Sequence, residues 1–258
     1  MKLNPISGNM YKFITHTWNP IKGKCLHDCA YCYMKTMPYS LGQMRLDMEE
    51  LKGKFNPEHF IFIGSSTDFC ADNVPFEWIK KVFDFCYTKT NGGLFDEEFD
   101  DNRTRFLIQT KNPKRLLQFK DHPLFNPKRN QVVICTTLET NRFIPEIMKN
   151  SPTPLERAEN MALLAKNGLK TYVTLEPIMD FDKEEFLELI RICKPEQVNI
   201  GQNTNESVFL PPPTEEKLID LIKELQAFTN VFLKDNIDNR SEVIEKSGLA
   251  LELSQAGL

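Results

Sequence analysis

The order in which apolar runs and amphipathic segments follow each other is the feature that most limits the fold of this 258-residue chain. Several of the apolar runs are rich in Ile, Val and Phe on both faces, which is typical of parallel strands covered on both sides. The predicted strands span residues 12–16, 60–64, 106–110, 132–137, 171–175, 198–201 and 231–233.

Helix start and stop signals lie between these runs. Thr153 and Glu156 form a predicted capping box around Pro154, and Gly168 can adopt the left-handed conformation that ends a helix. Residues 76–87 have the same apolar periodicity. The alternation predicts a single α/β domain over residues 1–258 with right-handed βαβ crossovers. We expect a partial (βα)6-type parallel TIM-like barrel, or the same barrel extended by one strand.

Composition excludes several classes of protein. The net charge of −4 provides no overall basic field for nucleic acid or an anionic membrane. It leaves room for a local basic groove, for example around Lys111, Lys114, Arg115, Lys128 and Arg129. The opening residues have no apolar secretory segment, and no run of about 18 apolar residues exists that could span a membrane. The seven cysteines are odd in number and mostly far apart, unlike a disulfide framework. These features predict a cytoplasmic protein with no membrane partner.

The strongest local signal is the cysteine motif Cys25, Cys29 and Cys32, which follows the first predicted strand and precedes a predicted helix. A cubane cluster normally takes four thiolates. Three thiolates leave one iron open to a small bidentate ligand, such as the amino and carboxylate groups of S-adenosylmethionine. The motif therefore predicts a [4Fe–4S] cluster that cleaves this cofactor reductively to a 5′-deoxyadenosyl radical, with the protein supplying orientation and shielding from water.

Two non-catalytic interpretations of the cysteine motif compete with a radical enzyme. A non-catalytic zinc module could use the three cysteines with His27, although such sites usually close with a second Cys or His pair that this sequence lacks. A structural or electron-transfer iron–sulfur module would need a fourth cysteine nearby, and Cys70 is distant in sequence.

The cysteine motif, with Tyr31 before its third cysteine, resembles the radical S-adenosylmethionine superfamily. Thr17-Trp18-Asn19-Pro20 and the later Glu176-Pro177 resemble a phage-associated family of that superfamily, whose function is undefined. The order of the motifs at the strand ends is also similar to that of spore photoproduct lyase, a DNA-repair family.

These resemblances imply an enzyme that abstracts hydrogen from a substrate, with nucleic acid or a nucleotide favoured. They also imply an external electron donor such as flavodoxin or ferredoxin. A protein or peptide substrate is the alternative, although radical enzymes of that kind often carry cysteine-rich C-terminal extensions that the sequence does not contain.

Polar residues that follow the predicted strands are the candidate cofactor contacts. Ser66, Thr67 and Asp68 offer acceptors for the amino group of the cofactor, or alternatively an N-cap for the next helix. The resemblance to the lyase makes Lys111 the partner of the cofactor carboxylate, and the alternative is a solvated loop residue. Tyr31 is also predicted to contact the cofactor.

The strand at residues 132–137 is the one that supplies ribose contacts in the superfamily. Thr137, Glu139 and Asn141 are therefore predicted to bind the ribose or the methionyl group. Glu139 could instead cap the next helix or pair with Arg142.

Two residues are candidates for catalysis or substrate binding. Glu176 ends a strand and is expected to face the barrel mouth as a substrate ligand. Cys70 is expected near the mouth, and the lyase resemblance suggests a cysteine that returns a hydrogen atom to the product radical. The register with the lyase fails, because its cysteine aligns with Ser65. Cys70 as a small apolar core residue is the competing interpretation.

Overall fold

The computed structural model describes residues 1–91 and 103–249, which contain ten β-strands. The strands are β1 (Asn4–Pro5), β2 (His16–Trp18), β3 (Ile21–Lys22), β4 (Arg45–Leu46), β5 (Phe60–Ile63), β6 (Arg105–Gln109), β7 (Val132–Thr137), β8 (Lys170–Leu175), β9 (Gln197–Ile200) and β10 (Asn230–Leu233). Eight of them form one sheet in the order β1-β2-β5-β6-β7-β8-β9-β10. All neighbours in that sheet are parallel except β1, which runs antiparallel to β2.

Six α-helices connect or follow the strands in the described residues: α1 (Phe76–Asn91), α2 (Pro145–Met148), α3 (Pro154–Lys166), α4 (Lys183–Ile192), α5 (Glu215–Leu225) and α6 (Arg240–Ser247). The capping box predicted before α3 is confirmed, because Thr153 and Glu156 exchange side-chain and backbone hydrogen bonds. Gly168 has the expected positive φ of 80° just beyond this helix. No helix within the described residues combines the length and the hydropathy that a membrane crossing requires.

Two apolar clusters cover the two faces of the sheet. Alternate strand residues such as Ile61, Ile108 and Val173 pack against the helices in the larger cluster. The intervening residues, among them Phe62 and Leu107, face the other way. The chain before β2 fills that second face with Tyr11, Phe13 and Ile14. Strands buried on both faces explain why their sequences are continuously apolar.

The predicted fold class is confirmed, since the sheet contains seven consecutive parallel strands and its fold is that of a TIM-like barrel. The first strand was predicted at residues 12–16, but β2 begins only at His16. Phe13 and Ile14 give the segment 12–16 the composition of a strand, whereas they pack as apolar side chains against the sheet face. The helix predicted after the cysteines is also wrong, because only a short 3-10 helix, Tyr33–Thr36, forms there.

Candidate functional site

A cavity of about 1090 Å³ lies at the carboxyl ends of the parallel strands. Polar and sulfur-bearing side chains from the cysteine loop and from several strand ends line it together, namely Cys25, Cys29, Tyr31, Cys32, Ser66, Thr67, Asp68, Lys111, Thr137, Glu176 and Lys234. Strand ends are where a parallel barrel collects its functional groups, because the loops that follow every strand meet there. The topology therefore brings most of the predicted site residues to one place.

The cysteine loop is a tightly folded segment between β3 and the 3-10 helix. It enters through Gly23, whose φ is 126° and where an added Cβ would lie 2.5 Å from the backbone of Met44. Only glycine fits this approach. Within the loop, the N–H of Cys32 donates to the carbonyl of Cys29 at 3.2 Å. Cys29 is buried and Cys25 is half-buried, and both belong to the cavity lining.

The thiols lie in a desolvated environment beside a cation. Burial, together with the negative charge of Asp68, raises the pKa of Cys25 to about 12. Burial also raises the pKa of Cys29, an effect that the positive charge of Lys111 opposes. These thiols would consequently be protonated in the free protein at neutral pH, and a metal would have to displace their protons.

The three thiols of the motif all line the cavity. Among residues 1–91 and 103–249, no three His, Cys, Asp or Glu side chains are arranged to hold one ion. The Nε2 atom of His27, the proposed fourth zinc ligand, is instead 3.0 Å from Asp68 Oδ2. The cavity thus offers three thiols, which is the number that leaves one iron of a [4Fe–4S] cluster open to a small ligand.

Lys111 brings a largely buried amino group to the cavity lining. Its side chain is 17% exposed, and Nζ lies 5.4 Å from the centroid of the Tyr31 ring. Burial disfavours its charge, but Cys29 and Glu139 outweigh that effect and raise its pKa. The nearest carboxylate oxygen, on Glu139, is 4.0 Å away, which is beyond hydrogen-bond distance. The ammonium can therefore donate to an anionic group in the cavity.

Glu139 belongs to a buried network behind the cavity wall. Both its side chain and that of Arg157 are 0% exposed, and Arg157 Nη1 lies 2.6 Å from Glu139 Oε2. The Tyr31 hydroxyl donates to the other carboxylate oxygen. Burial would raise the pKa of Glu139, but the positive charges of Arg157 and Lys111 lower it. Glu139 is outside the cavity lining, so its predicted contact with the cofactor stays a prediction.

Two neighbours of Glu139 have separate placements. Thr137 lines the cavity, and its hydroxyl accepts from Gln109 at 3.4 Å. Asn141 lies outside the lining, donating to Asp182 Oδ2 at 3.1 Å and accepting from the Asp182 N–H at 2.9 Å. Arg142, the alternative partner of Glu139, pairs instead with Asp180 and Asp182. Ribose contacts by Thr137 and Asn141 therefore stay predictions.

The segment Ser66, Thr67 and Asp68 lines the cavity and caps no α-helix, because the next one begins only at Phe76. Asp68 is held ionised: burial alone would raise its pKa, but His27 and hydrogen bonds from Thr110 and Lys111 lower it. The alternative prediction of an N-cap is therefore wrong. Direct contact with the cofactor amino group stays a prediction.

Glu176 lines the cavity and pairs with Lys234, the residue that directly follows β10. Lys234 Nζ lies 2.8 and 2.6 Å from its two carboxylate oxygens, and Asn9 donates to it at 2.8 Å. Burial nevertheless raises the pKa of Glu176. A Cβ on Gly201 would lie 3.0 Å from both Glu176 and Lys234, so glycine makes room for this pair. Sequence reasoning missed Asn9, which has no motif around it.

Cys70 lies outside the cavity lining. Its side chain is fully buried in the apolar cluster between sheet and helices, with Phe69 and Val74. Its N–H donates to Asp68 Oδ1 at 3.0 Å, which ties it to the strand-end loop. This placement favours the core interpretation, and the transfer of hydrogen by Cys70 stays a prediction.

Comparison with known proteins yields similarity of fold. No family model matches the sequence, and no curated protein matches it either. Among solved structures, spore photoproduct lyase complexed with dinucleoside spore photoproduct superimposes with a TM-score of 0.53 and 13% identity, over 76% of this chain and 58% of the lyase.

Two variant structures of the lyase agree with this result. A cysteine-to-serine variant has a TM-score of 0.52 at 12% identity, covering 96% of this chain and 63% of the lyase. A double variant with bound AdoMet and dinucleoside spore photoproduct has a TM-score of 0.51 at 12% identity, covering 93% and 62%. The chain spans less than two thirds of the lyase chains, and it shares its fold with this radical S-adenosylmethionine enzyme.

Proposed function

We propose that this chain is a radical S-adenosylmethionine enzyme in which Cys25, Cys29 and Cys32 hold a [4Fe–4S] cluster. The observation that carries the proposal is that all three thiols line one cavity at the strand ends of a barrel with the fold of spore photoproduct lyase. When bound, the cluster supplies the electron that cleaves S-adenosylmethionine to a 5′-deoxyadenosyl radical, which abstracts hydrogen from the substrate.

Lys111 binds the carboxylate of the cofactor in this proposal. Three properties support that role: its amine is largely buried, it lies beside Cys29, and it makes no direct hydrogen bond to a protein acceptor among the described residues. A charge-assisted hydrogen bond to a carboxylate would satisfy it. The depth of Lys111 in the cavity favours a small anionic group over a macromolecular phosphate.

In this proposal the substrate binds where Glu176 and Lys234 line the cavity. We infer a nucleic acid or a nucleotide, because lyase structures with this fold contain a dinucleoside spore photoproduct. Glu176 binds the substrate through the carboxylate oxygens that Lys234 and Asn9 orient. Flavodoxin or ferredoxin supplies the electron.

Anaerobic reconstitution with iron and sulfide tests the proposal. The protein should turn brown, absorb at about 400 nm and bind about four iron and four sulfide ions per chain. Changing Cys25, Cys29 or Cys32 to alanine should remove the absorbance. The matched controls Cys86→Ala and Cys193→Ala, at fully buried cysteines in the core, should keep it. A colourless protein that binds zinc through the same three cysteines would contradict the proposal and favour a structural module.

A further inference from the structure

The strand-end segment after β5 is bound to the chain that carries the cysteines. Three consecutive side chains each make one hydrogen bond of 2.8–3.0 Å to the stretch that leads into and through the motif: Ser66 to Asn19, Thr67 to the Gly23 carbonyl, and Asp68 to His27. The three bonds follow one another along both segments. This pairing fixes the path of the loop on the side that faces β5.

Asp68 has no acceptor capacity left for a ligand. Its Oδ1 atom accepts from the Cys70 N–H at 3.0 Å and from the Thr110 hydroxyl at 2.8 Å. Its Oδ2 atom accepts from the Lys111 N–H at 2.8 Å and lies 3.0 Å from His27 Nε2. A carboxylate offers about four lone-pair sites, and these four donors fill them. The side chain is also only 13% exposed.

His27 connects Asp68 to the loop that carries the cysteines. It stands between Cys25 and Cys29 in the sequence, and its side chain is 4% exposed. Nε2 must carry the proton in order to donate to the carboxylate of Asp68. On its other side, the His27 carbonyl accepts from the Asn150 N–H at 3.1 Å. The centre of the loop is consequently held between the end of β5 and the segment after α2.

We propose that Asp68 and His27 form a positioning pair that holds the cysteine loop in its metal-binding conformation, and that Asp68 acts through this loop instead of binding the cofactor. The proposal deepens the function proposed above and rests on it. It replaces the prediction that Asp68 accepts from the amino group of the cofactor, because every lone-pair site of Asp68 already has a donor.

Thiol reactivity of the metal-free protein is the primary test. The variants are Asp68→Asn and His27→Phe, and the rates at which Cys25 and Cys29 react with iodoacetamide are followed by peptide mass spectrometry. Loss of the anchor should expose the half-buried Cys25 and the buried Cys29 and raise both rates about tenfold or more, since a buried charge-assisted bond is lost. The decisive variant is His27→Phe, because it keeps the charge of Asp68, whose removal would by itself lower the pKa of Cys25. Wild-type rates in both variants would overturn the proposal.

His122→Phe is the matched control. His122 Nε2 lies 3.0 Å from Asp84 Oδ1, the same bond at the same length, and the pair lies outside the cavity lining. This variant should leave the alkylation rates of the loop cysteines unchanged. If it raises them as much as His27→Phe does, general destabilisation explains the effect and the positioning pair is refuted.

The cluster-loaded protein provides a second measurement. Asp68→Asn and His27→Phe should both lose iron to a chelator about tenfold faster than wild type, while the S-adenosylmethionine affinity of the molecules that retain a cluster changes less than about twofold. A loss of affinity in Asp68→Asn alone, with wild-type thiol reactivity, would show direct cofactor contact and overturn the proposal. The alkylation experiment does not require a cluster. Failure of the proposed function is therefore recognised separately, because the wild-type protein would then not assemble a cluster.

Discussion

Replacing Arg157 with methionine should destabilise the protein by about 3–5 kcal/mol, because it breaks a buried ion pair and leaves Glu139 with only the ammonium of Lys111, 4.0 Å away. Both side chains of this ion pair are 0% exposed. Arg157 also donates to the carbonyls of Pro152 and Thr137, at 2.7 and 2.9 Å. Methionine preserves much of the length of the side chain but replaces none of these donors.

The control variant is Arg142→Met, which removes ion pairs with Asp182 and Asp180, at 2.6 and 3.0 Å, on a side chain that is 42% exposed. An exposed pair of this kind is worth about 0–1 kcal/mol. Urea denaturation of the metal-free protein under reducing conditions measures both free energies. Thermal unfolding should show a lower midpoint for Arg157→Met by about 6–20 °C. Equal, small losses in both variants would refute the reasoning from burial.

Three further predictions concern single residues of the site. Lys111→Ala should weaken S-adenosylmethionine binding by about 1.5–3 kcal/mol in calorimetry with unchanged iron content, and unaltered affinity would contradict the assignment of Lys111 to the cofactor carboxylate. The fold lowers the pKa of Glu139, so its ionised carboxylate stabilises the folded protein above its unfolded pKa of about 4.3, and this stabilisation is lost as the pH falls through the folded pKa. Glu139→Gln should therefore flatten the acid side of the curve of stability against pH. An unchanged acid side would contradict the assignment. Cys70→Ala should cost about 1 kcal/mol of stability and leave 5′-deoxyadenosine formation and the pattern of substrate products intact, whereas abnormal products would restore its role as hydrogen donor.

The strands were predictable because they are buried on both faces. Val132–Thr137 has the predicted bounds, and the strands from β5 onward differ from prediction by at most one residue at either end. The segment before β2 was not predictable in the same way. Tyr11 and Phe13 have the composition of a strand, but they pack against the strands Phe60–Ile63 and Lys170–Leu175 without joining the sheet. Only tertiary structure distinguishes these two uses of an aromatic residue.

The members of the candidate site were predictable from strand ends, but their partners were not. Asp68 and Lys111 follow apolar runs, so a parallel barrel brings them to the same mouth. Arg157 lies inside α3, and nothing in its local sequence distinguishes it from an exposed helical arginine. Its pairing with Glu139 depends on how α3 packs behind β7, which a sequence pattern does not specify. The partner of His27 was not predictable either, because its position between the cysteines suggested a zinc ligand, whereas its Nε2 atom pairs with Asp68.

Formation of 5′-deoxyadenosine is the most direct test of the central claim. Anaerobically reconstituted protein is incubated with S-adenosylmethionine and dithionite, and the nucleoside is quantified by mass spectrometry. We expect the wild type and Cys86→Ala to form 5′-deoxyadenosine, and we expect none from Cys25→Ala, Cys29→Ala or Cys32→Ala. Full production by any one of those three variants, or no production by a wild type that carries the cluster, would contradict the claim.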